Sequence, residues 1–185
     1  MCAPYNEAVM RWLIDGYNVI RRAPELASRE RESLEAGRHA LVRLLIAVAD
    51  ASGDSFTVVF DGIETGGSSR GGTGVVVVFS SARESADHVL ARMARAGGAV
   101  VSNDREVRRA AERAGAVVVT TDQFLARLDE ARTNATQTAP RERESDKDEG
   151  DDDRPRGPQK GNPHRLSKKD RAAKRALGRL GPGRS

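Results

Sequence analysis

The sequence predicts an α/β domain in which a mostly parallel, five-stranded sheet is covered by helices on both faces. Segments rich in β-branched residues alternate along the chain with segments whose apolar residues recur at helical spacing, and this alternation is typical of the class. One apolar run, "VVVVF" at 75–79, is continuous, as expected for a strand buried on both faces.

Each predicted strand is a short apolar run that ends in turn residues or leads into a helical segment. The five predicted strands cover 9–15, 55–62, 75–79, 99–104 and 116–122. The first lies in "WLIDGYNVI" and ends at Asp15, and the second reaches Asp61. A glycine-rich loop, "ETGGSSRGGTG" at 64–74, separates the second strand from the third.

The helical segments are recognised by apolar spacing and by their caps. The predicted helices cover 33–51, 84–98, 105–115 and 123–132. In the first, Leu41, Leu45 and Val48 recur at helical spacing. Ser85 is the expected cap of the second helix, and Gly115 is expected to end the third.

Beyond Asn134 the apolar signal ends and charge dominates. We predict a globular domain over 1–132, a disordered, acidic-then-basic linker over 133–165 and a basic tail over 166–185. The first 132 residues hold 17 Arg and 18 acidic residues, whereas the last 32, from Arg154, hold 11 basic residues and 1 acidic residue. "LSKKDRAAKRALGRL" could form a short basic helix in which Ser167 and Asp170 resemble a capping box.

Composition excludes several classes of chemistry. Cys2 is the only cysteine, so one chain cannot form a disulfide or a cysteine-based zinc site. No lysine precedes Lys147, which excludes a phosphate-binding loop and Schiff-base or kinase-type chemistry in the first 132 residues. Without a recognisable signal peptide or an apolar run of about 18 residues, we expect a cytoplasmic protein with no membrane partner.

Acidic residues gather at one predicted edge of the sheet. Asp15, Asp61, Asp104 and Asp122 lie at or just past strand ends, and Asp87 lies in the first turn of the helix after the third strand. Ligands bind at this edge in open α/β sheets, and in the common strand order 3-2-1-4-5 Asp15 and Asp104 would flank the crevice. Clustered carboxylates repel one another unless a cation lies among them, and oxygen ligands favour Mg²⁺ or Mn²⁺.

These residues also have structural interpretations. An aspartate at a strand-to-helix junction is often a cap, and Asp122, which follows two threonines, fits that interpretation best. Asp61 and Gly62 could form a simple turn. Asn18 could hold a water or a carboxylate, or it could be a turn residue. For His88 we favour a surface or capping role.

A carboxylate–metal site suits phosphodiester hydrolysis. The metal lowers the pKa of a bound water and neutralises charge on the scissile phosphate, and a second metal about 4 Å away could stabilise the leaving oxygen. Ser102 and Asn103 could orient the neighbouring carboxylate or contact a phosphate.

Four segments, taken in order, resemble the YacP-like branch of the NYN domains, which are relatives of the PIN-domain ribonucleases. These segments are "LIDGYNVI", "VVFDG", "SSARESADHVL" and "VVSNDREVRRAAERAGA", and the resemblance covers residues 10 to about 130. It implies a three-layer α/β/α, PIN-like (Rossmann-like) fold, a metal-dependent acidic site and endoribonuclease activity. Some members of this branch act on mRNA at the ribosome.

The resemblance also implies the site residues. Carried over by motif, the catalytic set is Asp15, Asn18, Asp61, Asp87 and Asp104. Of these, Asp15, Asp87 and Asp104 are the implied ligands of Mg²⁺ or Mn²⁺. Asp122 matches only loosely the last acid of PIN relatives.

The sequence offers few residues for binding RNA bases. Aromatic residues make up 4% of the chain, so we expect base stacking to contribute little. We assign RNA binding instead to arginines near the predicted site, namely Arg21, Arg22, Arg70, Arg83 and Arg105. The tail from Arg154 onward could bind RNA non-specifically through its charge, or it could be solvated disorder.

Three functions compete on these observations. The one we favour is a metal-dependent endoribonuclease that cleaves single-stranded mRNA or rRNA, with the ribosome as a candidate partner. The alternative is a non-catalytic RNA- or ribosome-binding module in which the acids are caps and the basic tail binds. A phosphatase with an aspartyl nucleophile is disfavoured, because "DGYN" lacks a second aspartate two residues after Asp15.

Overall fold

The computed structural model describes residues 9–62, 68–137 and 167–180. The strands of the described part are β1 (Arg11–Asp15), β2 (Ser55–Phe60), β3 (Ser68–Gly72), β4 (Val75–Phe79), β5 (Ala99–Val101) and β6 (Val117–Val119). Its helices are α1 (Gly16–Arg22), α2 (Pro24–Glu32), α3 (Leu34–Ser52), α4 (Ala86–Ala94), α5 (Arg105–Arg113), α6 (Thr121–Gln137) and α7 (Lys168–Gly178). Within these ranges no helix has the length and apolar character that a membrane crossing would need.

The strands form a mixed, mostly parallel sheet in the order β3-β4-β2-β1-β5-β6. All neighbouring pairs are parallel except β3 and β4, which are antiparallel. The five strands expected from the sequence therefore follow the order 3-2-1-4-5, which confirms that expectation. This order places the carboxyl ends of β1 and β5 side by side, with β2 on the other side of β1.

The prediction of five strands was wrong, because part of the glycine-rich loop forms β3. Its residues "SSRGG" carry no apolar pattern, so periodicity gives no sign of a strand. β3 pairs with β4 through backbone hydrogen bonds across a short turn. Gly74 in that turn has φ +71°, a conformation that favours glycine.

Two further helices, α1 and α2, occupy a stretch for which the sequence indicated no helix. α1 follows β1 without a connecting loop, because the side chain of Asp15 caps it. α2 begins with Pro24 at its first position, where a proline fits well. The predicted helix at 33–51 is confirmed as α3, and the Ser33 side chain accepts a hydrogen bond from the amide of Ala36 at 3.0 Å.

Helices pack on both faces of the sheet, and alternate residues of β1 divide between the two. Trp12 and Ile14 belong to a core cluster with residues of α1, α2, α3 and α6, whereas Leu13 belongs to a second cluster with residues of α4 and α5. Because β1 is buried on both faces in the middle of the sheet, Asp15 at its end has a fixed position. The sheet thereby determines where the acidic residues lie.

The predicted basic helix in the tail is confirmed as α7, which is capped by Ser167. Its apolar side, including Ala173 and Ala176, is buried in the same core cluster as Trp12. We predicted a linker over 133–165; α6 includes the first five of those residues, and the remainder lies outside the described residues. The boundary of the globular domain at residue 132 stays a prediction.

Candidate active site

Four of the predicted acids line adjoining cavities at the carboxyl edge of the sheet. One cavity, of about 470 Å³, is lined by Asp15, Tyr17, Asn18, Arg21, Arg22, Asp87, Asn103 and Asp104. The other, of about 380 Å³, is lined by Asp15, Tyr17, Arg21, Leu34, Asp61, Ser85, Ala86 and Asp87. Asp15 and Asp87 line both cavities, so the two form one depression. We call it the acidic cleft, defined by Asp15, Asp61, Asp87 and Asp104.

Asp15 is both a helix cap and a member of the acidic cleft. Its Oδ1 accepts a hydrogen bond from the amide of Asn18 at 3.2 Å, and its Oδ2 accepts one from the hydroxyl of Ser102 at 2.9 Å. Burial raises the pKa of Asp15 above its ordinary value of 3.8, the two hydrogen bonds oppose that change, and repulsion from Asp87 and Asp104 adds to it. The Ser102 hydroxyl thus orients the carboxylate of Asp15, which is distant in the sequence.

Gly16 lets the chain turn directly from β1 into α1 beneath an aromatic ring. A Cβ atom at this position would overlap with Cε1 and Cδ1 of the Phe60 ring. The glycine after Asp15 is therefore required by packing against Phe60.

The other acids of the cleft are held by short local contacts. Asp104 caps α5, its Oδ1 accepting hydrogen bonds from the amides of Glu106 and Val107 at 2.6 and 3.2 Å. Asp61 accepts a hydrogen bond from the hydroxyl of Ser80 at 2.6 Å. Both carboxylates are therefore fixed in position at the edge of the sheet.

Asp87 is the second residue of α4 and lies in its first turn, two residues after the cap Ser85. Burial raises the pKa of Asp87, and repulsion from Asp104 and Asp61 raises it further; His88 opposes this change, and Glu106 makes a smaller contribution in the upward direction. The acids of the cleft are close enough that each negative charge disfavours ionisation of its neighbours. Glu106 was missed by the sequence analysis, although it lies in the first turn of the helix that Asp104 caps.

The cleft has the chemistry of a site for a hydrated hard cation. Its acids offer oxygen donors only, which suits Mg²⁺ or Mn²⁺. Across the described ranges, no group of three or more His, Cys, Asp or Glu side chains is arranged to hold a metal ion. Mg²⁺ usually keeps several waters and binds through one or two carboxylates. The residues therefore fit an ion that retains much of its water shell.

Asn18 lies within α1, so it is not a turn residue. Its Oδ1 accepts a hydrogen bond from the amide of Asn103 at 3.1 Å and a second from the hydroxyl of Thr121 at 2.7 Å. A carbonyl-type oxygen has two lone pairs, and these two donors use both. Asn18 lines the cleft, so the group it can offer there is the Nδ2 amide, as a hydrogen-bond donor.

Asp122 lies outside the group of cleft-lining acids. Its exposed carboxylate accepts hydrogen bonds from Nε and Nη2 of Arg22, both at 3.1 Å, and from Nδ2 of Asn103 at 2.9 Å. The hydrogen bond from Arg22 and then the one from Asn103 lower the pKa of Asp122. In this geometry Asp122 positions Arg22 and Asn103.

The interpretation of Asp122 as a cap was wrong, because Thr120 caps α6. The Thr120 hydroxyl accepts a hydrogen bond from the amide of Gln123 at 3.1 Å, and the Gln123 side chain accepts one from the amide of Thr120 at 3.1 Å. This reciprocal pair is a capping box. His88 is exposed, and its Nδ1 lies 2.8 Å from the hydroxyl of the cap Ser85, as expected for a surface or capping role.

Of the five arginines predicted to bind RNA, four lie at the carboxyl edge. Arg21 and Arg22 line the cleft, where Arg21 pairs with Glu30 at 3.4 Å and Arg22 with Asp122. Arg83 is exposed in the connection from β4 to α4, and Arg105 is exposed at the start of α5. Arg70 lies in β3 opposite Val76, which is not at the carboxyl end of β4.

One aromatic residue of the cleft, Tyr17, was not predicted from the sequence. Its hydroxyl accepts hydrogen bonds from Nη2 and Nε of Arg38 at 2.6 and 2.9 Å. The Arg38 guanidinium also lies over the rings of Phe60 and Phe79 at 5.6 and 5.1 Å. Only the position of Tyr17, two residues after the acid that ends β1, could have indicated a place in the site.

A family model and two solved structures resemble the chain. A family model described as the YacP-like NYN domain matches residues 12–160. Among solved structures, Rae1 (YacP) from Bacillus subtilis is 24% identical with a TM-score of 0.57, covering 68% of this chain and 77% of that one. A tryptophan-to-leucine mutant of the same Bacillus subtilis protein is 23% identical with a TM-score of 0.57, covering 71% and 87%. No curated protein matches the chain.

Proposed function

The chain belongs to the YacP-like NYN domain family, a PIN-like nuclease family, and from this premise we propose that it is a metal-dependent endoribonuclease acting on single-stranded RNA. Its proposed substrates are mRNA or rRNA, and the ribosome is a candidate partner. The observation that supports this proposal best is the acidic cleft, which opens at the edge where α/β sheets bind their ligands. Carboxylates that disfavour one another in such a cleft are typical of a functional site.

In this proposal the residues of the cleft have different roles in the reaction. Asp15, Asp87 and Asp104 would hold Mg²⁺ or Mn²⁺, in part through its water shell, and the bound ion would activate a water and neutralise charge on the phosphate. Asp61, fixed by Ser80, accepts a hydrogen bond from the attacking water. Asn18 donates from Nδ2 to a phosphate oxygen.

The arginines at the carboxyl edge bind the backbone of the RNA on either side of the cleft. Arg21 is 67% exposed and lines both cavities, so it can reach a phosphate next to the scissile one. Arg83 is exposed in the connection that precedes Asp87, and Arg105 is exposed at the start of α5, next to Asp104. Positive charge there offsets the repulsion between the acids and the phosphates.

The second candidate function is a non-catalytic RNA-binding module. It is supported by the exposed side of α7, which carries Lys168, Lys169, Arg171, Lys174 and Arg175. Deleting the residues from Arg154 onward would not test it cleanly, because α7 also contributes buried residues to the core. Binding of RNA without cleavage would favour this function.

The direct test is cleavage of an end-labelled, structured RNA in the presence of Mg²⁺, Mn²⁺ or a chelator. We expect products with either ion and none with chelator, because the acids alone cannot neutralise a phosphate. The double variant Asp15→Asn/Asp87→Asn, purified in parallel, controls for contaminating ribonuclease. Equal cleavage by the wild type and the double variant would contradict the proposal.

Asn18→Asp separates the two functions of the Asn18 side chain. The aspartate keeps an oxygen that can accept from Asn103 and Thr121, but it replaces the Nδ2 donor with an acceptor. We expect kcat/KM to fall by about 10- to 100-fold, the loss typical of one hydrogen bond to a charged group. Asn18→Ala, which removes both functions, is the matched comparison and should lower the thermal unfolding temperature more. Wild-type cleavage by Asn18→Asp would show that Nδ2 makes no contact in the reaction.

A further inference from the structure

One wall of the acidic cleft is not acidic. The 380 Å³ cavity has Asp61 and Asp87 among its lining residues, and it also has Tyr17, Leu34 and Arg21. We propose that Tyr17 and Leu34 form a subsite for the nucleobase next to the scissile phosphate. This inference rests on the proposed function and specifies how the same site holds its substrate.

The ring of Tyr17 is held in place before any ligand arrives. Phe60 packs against it at 5.2 Å with the two rings 63° apart, and Arg38 donates two hydrogen bonds to its hydroxyl. Tyr17 is half-buried and lines both cavities, so part of the ring faces the cleft. A rigid aromatic ring costs little entropy when a base stacks on it.

Leu34 is an apolar residue whose side chain is exposed to water. It is 51% exposed at the first position of α3, and in the described ranges the other large apolar side chains with comparable exposure are Val9 and Val76. Unlike those two, Leu34 lines the cavity next to the acids. A nucleobase placed against it would bury this apolar surface.

The cavity has the size and chemistry for a base attached to a phosphate. Its volume of about 380 Å³ falls within the range of small-ligand pockets. A planar group already lies over the Tyr17 ring, because the Arg21 guanidinium is 5.2 Å from the ring centre. Arg21 is well exposed, so it can stack against an entering base or pair with its phosphate.

This subsite revises the expectation that base stacking contributes little to RNA binding. The aromatic residues are few, but one of them lies beside the acidic cleft. Stacking is tolerant of base identity, so the subsite favours single-stranded RNA over duplex without selecting a sequence. A base in a duplex is already stacked and cannot enter the cavity without leaving its neighbours.

The test uses the full chain and a short single-stranded RNA oligonucleotide. Its cleavage position is mapped first, and abasic nucleotides are then placed on either side of that position. Binding is measured in chelator, and kcat/KM in Mg²⁺, for Tyr17→Ala, Tyr17→Phe and Leu34→Ala. Val9→Ala is the matched control, since Val9 is 64% exposed and precedes β1 at the opposite edge of the sheet.

We expect Tyr17→Ala to weaken binding and kcat/KM by about 10- to 100-fold, the usual loss for one stacked base. Leu34→Ala should weaken both by a smaller factor, and Tyr17→Phe should retain most of the wild-type affinity because it keeps the ring. On the RNA with the abasic nucleotide at the subsite, the differences between wild type and variants should disappear. A purely structural role of Tyr17 would lower activity equally on both RNAs.

The outcomes separate this inference from the proposed function. Wild-type binding and cleavage by both Tyr17→Ala and Leu34→Ala would overturn the subsite and leave the nuclease intact. If the wild type binds but does not cleave, the nuclease proposal fails, and the binding measurements alone decide the subsite. If the wild type does not bind, both fail. If Tyr17→Ala does not fold, the subsite is tested by comparing Leu34→Ala with the wild type on the intact and the abasic RNA.

Discussion

Asp87→Asn is expected to abolish RNA cleavage and, at the same time, to make the folded protein more stable at neutral pH. Loss of one of the carboxylates proposed to hold the metal should lower kcat/KM by about 100-fold or more, which corresponds to about 2.7 kcal/mol of transition-state stabilisation. Stability should rise because burial and the charges of Asp104 and Asp61 disfavour the ionised form of Asp87. The exposed Asp50, near the end of α3, provides the control variant Asp50→Asn, which should change neither property.

The pH dependence of this stabilisation follows from the direction of the pKa shift. The pKa of Asp87 is raised in the folded protein, so folding is penalised once the pH exceeds the ordinary value of 3.8 and the penalty is complete above the raised pKa. Below 3.8 the side chain is protonated in both states and imposes no penalty. Thermal unfolding in chelator should therefore show a gain for Asp87→Asn at pH 7 that disappears as the pH falls below 3.8.

Magnesium should reverse this order of stability. An ion bound among the carboxylates stabilises the folded wild type, because it binds the folded state and not the unfolded one. We expect Mg²⁺ to raise the unfolding temperature of the wild type more than that of Asp87→Asn. A variant that is less stable than wild type in chelator, or that still cleaves RNA, would contradict the role assigned to Asp87.

The acidic edge could be predicted because its position depends on local signals. Strands in the middle of a parallel sheet are continuous apolar runs, so their ends are visible in the sequence. Asp15 and Asp61 follow such ends, and Asp104 lies just past a third. Because these strands are parallel neighbours in the sheet, the residues at their carboxyl ends lie near one another.

Features that depend on distant partners or on backbone pairing could not be predicted in the same way. β3 is held by backbone hydrogen bonds to β4, for which its serines and glycines give no side-chain pattern. Tyr17 owes its orientation to Arg38, which lies 21 residues away. The oxygen of Asn18 is used by Asn103 and Thr121, which are 85 and 103 residues away. No local pattern encodes such contacts.

The contacts of α7 in the tail also could not be predicted from local sequence patterns. The spacing of "LSKKDRAAKRALGRL" predicts a helix and its cap correctly, yet the charge of the segment suggested an independent basic tail. In the structure Arg179, just after α7, pairs with Asp54 at 3.2 Å across 125 residues of sequence. The apolar side of the helix is small, but Ala173 and Ala176 belong to the core cluster that contains Trp12.

Asp54→Ala is expected to be the most destabilising of the substitutions considered. The Asp54 side chain is fully buried and accepts hydrogen bonds from the amide of Met10 at 2.9 Å, from Nε1 of Trp12 at 3.0 Å and from Nη2 of Arg179 at 3.2 Å. Removing it deprives Met10, Trp12 and Arg179 of a shared acceptor and leaves the charge of Arg179 without this partner. Breaking a buried pair in this way costs about 3–5 kcal/mol.

Urea unfolding of the full chain measures this loss directly, provided that the slope with denaturant is unchanged. Arg179→Met is the informative comparison, since it leaves Asp54 with the donors from Met10 and Trp12 and should cost less than Asp54→Ala. Both substitutions lie at the amino edge of the sheet, so below the unfolding temperature kcat/KM should equal that of the wild type. The free energy of unfolding could instead fall by less than about 1 kcal/mol for Asp54→Ala, as for an ordinary surface substitution. That result would mean that this carboxylate does not stabilise the packing of α7 on the core.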